Sequence, residues 1–225
     1  MPDTPHLLPT IEITTGSNPL HTVLWMHGLG ADGNDFVPIV QMLDLPATIP
    51  IRFLFPHAPV QPVSINGGWT MRAWYDIKHA DFLRQEDETG LRNSQHAITA
   101  LIKHENQRGI PSERITLAGF SQGGAMALQV GLRYPDRLAG IMILSGYLPL
   151  MHLVEHEAHP ANTTTPIFMA HGHNDPIVPI ELARASQQFL YAHHYLVDWH
   201  EYSMAHTVCD DELINISRWL AKILL

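Results

Sequence analysis

The sequence predicts an α/β protein with a mostly parallel sheet and helices on both faces. Three observations carry this. Short apolar runs recur along the 225 residues, and stretches with helical spacing separate them. The middle runs, ITLAG, AGIMIL and IFMAH, are almost continuously apolar, as strands buried on both faces should be.

Taken in order, a short antiparallel strand is expected near 11–14. Further strands follow at 22–26 (TVLWM), 51–55 (IRFLF), 115–119, 139–144, 167–171 and 196–202 (LVDWHEY). Helices are expected at 35–43, 88–107, 122–134, 179–194 and 210–224. The last is the clearest. Leu213, Ile216, Leu220, Ile223 and Leu224 share a face at spacings of three and four, and Asp210, Asp211 and Glu212 sit where the helix dipole favours acids. Two long segments, 56–87 and 146–166, show no clear period, and loops of that length in a compact domain are usually functional. No internal repeat or low-complexity tract interrupts the pattern, so a single domain over residues 1–225 is expected.

Composition removes several function classes. With 13 Lys+Arg against 22 Asp+Glu the net charge is −9, and no basic cluster is available to hold a nucleic acid. Charged residues make up only 16%, which fits an acyl-accepting surface or a homodimer contact equally well. Cys209 is the single cysteine, so no intrachain disulfide can form. The start MPDTPHLLPT lacks the basic and apolar regions of a signal peptide, and LAGIMIL (138–144) is too short to span a bilayer. The expectation is a cytoplasmic protein without stable membrane insertion.

The chemistry centres on Gly119-Phe120-Ser121-Gln122-Gly123, which follows an expected strand and opens an expected helix. This is the context of a nucleophile elbow, where a strained serine needs small residues two places before and after it. A chain of this length with average glycine and serine usage, about 7% each, would hold about 0.08 such matches by chance. Serine needs a base, and the base needs an orienting acid; in this arrangement they follow in the order Ser, acid, His. Asp175, just past the strand at 167–171, is the candidate acid; capping of a turn before Pro176 is its ordinary alternative. Of the later histidines, His193 and His194 fall at a helix end and His200 inside a strand. His206 lies on the loop between the last strand and last helix, where the base is expected. Oxyanion donors are expected from the backbone N–H of Gln122 and of Leu29, the latter in the His27-Gly28-Leu29-Gly30 turn after strand 22–26.

Several longer stretches carry a resemblance: HGLGADGNDF (27–36), PHAPVQPVSINGGWTMRAWYDI (56–77), QEDETG (85–90), GFSQGGAMAL (119–128), HGHNDPIVP (171–179) and YSMAHTVCDDE (202–212). Together they resemble the carboxylesterase/acyl-protein thioesterase family, also called phospholipase/carboxylesterase, and its bacterial carboxylesterase members in particular. The likeness is collinear from about residue 21 to 221. It implies an α/β-hydrolase fold with no large cap domain, the triad Ser121, Asp175 and His206, and oxyanion donors at Leu29 and Gln122. In that family the element matching Trp74, Tyr75 and Asp76 belongs to the loop lining the acyl site; Trp74, Tyr75 and Val178 are the candidate substrate contacts. One departure is Ala205, where many relatives carry Glu before the histidine.

The resulting expectation is a serine hydrolase of short to medium carboxylic esters, thioesters included, working without cofactor or metal. Its partner would be a small acyl ester or thioester, or an acylated protein. Acyl-protein thioesterase or lysophospholipase activity is the alternative main role. Two rivals are weaker. His171, His173 and Asp175 match five-sixths of an HxHxDH zinc motif, but Pro176 fills the sixth place and no second ligand set follows. A non-catalytic binding module usually lacks a triad residue, and here none is missing. Cys209 reads as a packed small hydrophobe, and Gln85-Glu86-Asp87-Glu88 as a solvated helix start.

Overall fold

In the computed structural model, which describes residues 7–79, 81–82 and 85–224, seven strands form one sheet. They are β1 (Thr10–Thr14), β2 (His21–Met26), β3 (Ile51–Pro56), β6 (Ile115–Phe120), β7 (Gly140–Leu144), β8 (Ile167–Gly172) and β9 (Val197–Tyr202). Their order is β1-β3-β2-β6-β7-β8-β9; β1 runs antiparallel to β3, and all other pairs are parallel. The expected order of elements is therefore present, antiparallel first strand included. Residues 1–6, which held most of the expected signal-free start, lie outside the described residues.

Alternation along β2 shows how the two faces are filled. Val23 and Trp25 join Phe53, Phe55 and the buried side of α6 (Asp210–Ile223), while Leu24 and Met26 face α2 (Glu88–Gln107) and α3 (Gln122–Gly131). Helix α5 (Ile180–Ala192) packs Leu182, Phe189 and Leu190 on that second face. Helices and loops cover both faces, so the middle strands need no polar alternation.

The structure shortens two expected helices, in each case beside a proline. The segment at 35–43 contains only one turn, α1 (Ile39–Met42), preceded by isolated turns such as Ile39 N–H to Phe36 O. Pro38 offers no N–H and biases Val37 away from helical backbone. The helix expected to reach 134 ends at Gly131, because Tyr134 precedes Pro135.

Neither long segment is structureless. Within 56–87, β4 (Val60–Val63) and β5 (Trp69–Arg72) pair antiparallel from Val60↔Arg72 to Val63↔Trp69. Pro62 and the Gly67-Gly68 turn disguise this hairpin, since proline is tolerated only at a sheet edge. The 146–166 segment, with its short α4 (Val154–Glu157), is largely core: Tyr147, Leu148, Leu150, Val154, Asn162 and Thr165 are all buried. Asn162 ties it down, donating to Tyr134 O (2.8 Å) and Asp136 O (3.0 Å) and accepting from Leu138 N–H (2.9 Å). No described helix is long and apolar enough to cross a membrane.

Candidate active site

Leu29, Ser121, Gln122, Asp175 and His206 lie past the C-terminal ends of β2, β6, β8 and β9, the edge where open parallel sheets place their sites. Ser121 sits between β6 and α3 with φ 55° and ψ −119°. A non-glycine residue in that region stores about 1–3 kcal/mol of strain, and persists only where its surroundings determine it. Here they do. A Cβ on Gly119 would come within 2.2 Å of the Gly123 backbone, and one on Gly123 within 2.2 Å of Met26 O. Only glycine at both places allows β6, α3 and the end of β2 to close together, and Ser121 N–H bonds Leu144 O at 2.8 Å on the neighbouring strand.

Asp175 and His206 are in direct contact. His206 Nδ1 donates to Asp175 Oδ2 at 2.6 Å, and the Asp175 side chain is fully buried. The other carboxylate oxygen accepts from the backbone of Ile177 (2.8 Å) and Val178 (2.9 Å), which fixes its plane. His171, also fully buried, donates from Nε2 to Val178 O at 2.8 Å and lies 3.4 Å from Asp175 Oδ2. Burial holds the His171 imidazole below the ordinary histidine range, in its neutral form.

The loops bearing Asp175 and His206 are joined to each other by Asn174 N–H to Met204 O (3.1 Å) and His173 N–H to Tyr202 O (2.8 Å). This close approach depends on Gly172, where a Cβ would lie 2.4 Å from Met204 O. Sequence reading missed Gly172; its signal is a glycine ending a strand just before the acid. Ser121 itself makes no hydrogen bond to His206 among the described residues, a gap common in unliganded sites. The two regions meet instead through Phe120, whose ring centroid is 4.7 Å from the His206 imidazole.

Leu29 lies in the turn after β2, and Gln122 directly follows Ser121. Gln122 opens α3, so its N–H has no partner within the helix, and Leu29 N–H bonds no acceptor among the described residues. Gly28 lies against the serine: a Cβ there would be 3.5 Å from Ser121 Cβ. Gly30 N–H is taken by Arg72 O at 2.9 Å, so the hairpin β4–β5 supports the same turn.

Trp74, Tyr75 and Val178, expected as substrate contacts, are buried and occupied internally, at 0%, 3% and 2% exposure. Tyr75 shares a 2.9 Å hydrogen bond with Tyr147, and burial raises both phenols above their ordinary range. Val178 supplies both backbone groups to the Asp175 loop. Exposed apolar side chains lie instead on the β4–β5 hairpin, at Val60, Ile65 and Trp69, and beside Asp175 at Ile177. The 85–88 run is also more than a solvated start. Asp87 caps α2 through Gly90 N–H and accepts from Asp76 N–H, while half-buried Glu86 accepts from Leu150 N–H at 2.8 Å. The HxHxD residues face different partners, since His173 turns outward to Glu201 at 3.3 Å. Among the described residues no three or more His, Cys, Asp or Glu come together so as to hold an ion.

The chain is 38% identical over 229 residues to acyl-protein thioesterase 1 of Mycosarcoma maydis, covering 95% of both. It is 36% identical to acyl-protein thioesterase 1 of Saccharomyces cerevisiae, covering 90% of this chain and 92% of the other. Among solved structures, Arabidopsis thaliana SOBER1 superposes with a TM-score of 0.85 at 30% identity, over 91% of this chain and 99% of that one. A Bacillus cereus carboxylesterase shares the fold at a TM-score of 0.77 with 18% identity, over 98% of this chain and 96% of that one, so identity is higher toward these fungal thioesterases than toward this bacterial member. The model of the Phospholipase/Carboxylesterase family matches residues 9–224. With the elbow, the loop order and the sheet in agreement, the chain belongs to the phospholipase/carboxylesterase family of α/β-hydrolases.

Proposed function

We propose that the protein, as one domain, hydrolyses carboxylic esters and thioesters through Ser121, His206 and Asp175. The observation that carries this reading is the strained Ser121 at the head of α3, on the same sheet edge as the 2.6 Å His206–Asp175 pair. Ser121 Oγ attacks the acyl carbonyl carbon as His206 Nε2 takes its proton. Asp175 holds the imidazole with Nδ1–H inward and stabilises the imidazolium. The carbonyl oxygen becomes an oxyanion facing the N–H groups of Leu29 and Gln122. Collapse expels the alcohol or thiol, protonated by His206, and water then releases the acyl group from Ser121 by the same route. Trp74, Tyr75 and Val178 hold this geometry from behind, while the exposed hairpin carrying Trp69 meets the acyl chain.

Acyl-protein thioesterase relatives favour a thioester on an acylated protein as the physiological substrate. The single cysteine, Cys209, fits a cytoplasmic setting. Wild type should be labelled by a serine-directed fluorophosphonate, and Ser121→Ala should lose both labelling and hydrolysis. A series of paired esters and thioesters from two to sixteen carbons should peak at short to medium length. Full activity in Ser121→Ala overturns the serine mechanism, and a maximum at sixteen carbons overturns the chain-length reading.

A further inference from the structure

We infer that Trp74 is a positioning residue for the oxyanion donor at Leu29, acting through His27, while its backbone ties that turn to the Gln122 side chain. The inference rests on the serine-hydrolase reading above. Every polar group of Trp74 is engaged although its side chain is fully buried. Its N–H donates to Gln122 Oε1 (2.8 Å), its C=O accepts from Ser94 Oγ, and its indole Nε1 donates to His27 O (2.9 Å). The Gln122 side chain completes the bridge by donating from Nε2 to Tyr75 O at 2.7 Å. Residues 74–75 thus bond to both donor-bearing elements, the turn after β2 and the first residue of α3.

What these bonds control is the direction of two consecutive peptide planes. Trp74 Nε1 holds the carbonyl of the His27–Gly28 peptide. His27 holds the next one: its Nε2 accepts from Ala58 N–H at 3.0 Å, so the proton lies on Nδ1, which donates to Gly28 O at 2.7 Å. A trans peptide carries its C=O and N–H on opposite sides. Fixing Gly28 O therefore aims Leu29 N–H, which belongs to the same peptide unit. Burial keeps His27 below the ordinary histidine range and hence in this neutral tautomer. The His27 and Trp74 rings also pack at 5.3 Å, so neither can rotate alone. An oxyanion hole works because its donors do not reorganise during reaction, and this bridge supplies that fixity to the Leu29 turn, which has no helix to hold it.

The test compares Trp74→Phe with wild type and Ser121→Ala, using a short p-nitrophenyl ester and a trifluoromethyl ketone. The ketone carbon accepts Ser121 Oγ and its oxygen becomes an oxyanion, so its affinity reads the donors directly. Trp74→Phe keeps the apolar ring and removes Nε1–H. It should lower kcat about 10- to 100-fold with KM nearly unchanged, and weaken the ketone by a similar factor, since small misplacements of this kind cost up to about 100-fold. Should that variant fail to fold, His27→Asn and His27→Leu decide the matter. Asparagine retains a donor for Gly28 O and should keep more ketone affinity than leucine. A wild-type kcat and ketone affinity in Trp74→Phe, or a raised KM at unchanged kcat, overturns the inference while an inactive Ser121→Ala leaves the serine mechanism standing. Full activity in Ser121→Ala removes the mechanism itself and the inference with it.

Discussion

Among the described residues Glu105, Asp175 and Glu212 are fully buried carboxylates, and the fold treats each differently. At the edge of the sheet opposite the site, Glu105 of α2 meets Arg52 (2.8 Å), Arg108 (2.9 Å) and the Thr22 hydroxyl (2.5 Å). Glu12 bonds the same two arginines from outside, and its carboxyl is held below the ordinary range chiefly by Arg108. At the site edge, Asp175 has no arginine or lysine partner among the described residues, only backbone amides and imidazole. Glu212, in the first turn of α6, reaches no hydrogen-bond partner with either oxygen; burial pushes it up to about 8, opposed in part by the nearby Cys209 N–H. Cations around a buried acid make a rigid strut. Neutral donors leave Asp175 turned toward the imidazole of His206, while burial pushes up a carboxyl as poorly served as that of Glu212.

Removing the carboxyl group of each acid should therefore give three different results. Asp175→Asn should reduce kcat by about 10,000-fold, because an amide can turn its NH₂ toward His206 and favour the wrong tautomer. Thermal unfolding should change little; a large loss of stability with near-normal kcat would place Asp175 with Glu105 as a strut. Glu105→Ala should instead cost about 3 kcal/mol of stability, since the buried Arg52 loses its buried partner and keeps only the outer Glu12. Activity per folded molecule should stay within about twofold, measured as kcat at a temperature well below unfolding.

Glu212→Gln should have the smallest effect and the opposite sign. The folded state holds a proton that the unfolded chain releases above the ordinary carboxylate value of 4.5. Wild-type stability should thus fall as pH rises from that value to about 8, with a contribution of up to about 1.4 kcal/mol per pH unit. The glutamine variant has no proton to lose there, so it should be more stable than wild type at pH 8, by about 1–3 kcal/mol, and more nearly equal at pH 5. Urea unfolding at both values checks this, and an identical decline in both proteins would show that Glu212 is not the source.

The acids also show what was legible in the chain. The contact of Asp175 with His206 could be anticipated because order and position relative to strands are properties of sequence, and so could the strained turn at Ser121, because it demands glycine at two fixed places. Glu212 could not be told from the exposed Asp210 and Asp211 beside it, and Glu105 stands among polar residues that give no sign of its arginine partners. The hairpin β4–β5 escaped notice because two short strands broken by Pro62 have no period to read. Trp74 was singled out for contact with substrate, yet its indole is directed to His27 O, some 47 residues away along the chain.

By itself the sequence determined the chain order of the seven strands of the main sheet and the longer helices, the two apolar faces of that sheet, and the four loops gathered at one edge. These follow from local spacing, since apolar period and glycine or proline placement act within a few residues. Only the tertiary structure decided which buried acid is paired, which loop is really core, and how the Leu29 turn is aimed. Those outcomes depend on partners far apart in the chain, and hydrogen bonds over such distances leave no period in the sequence.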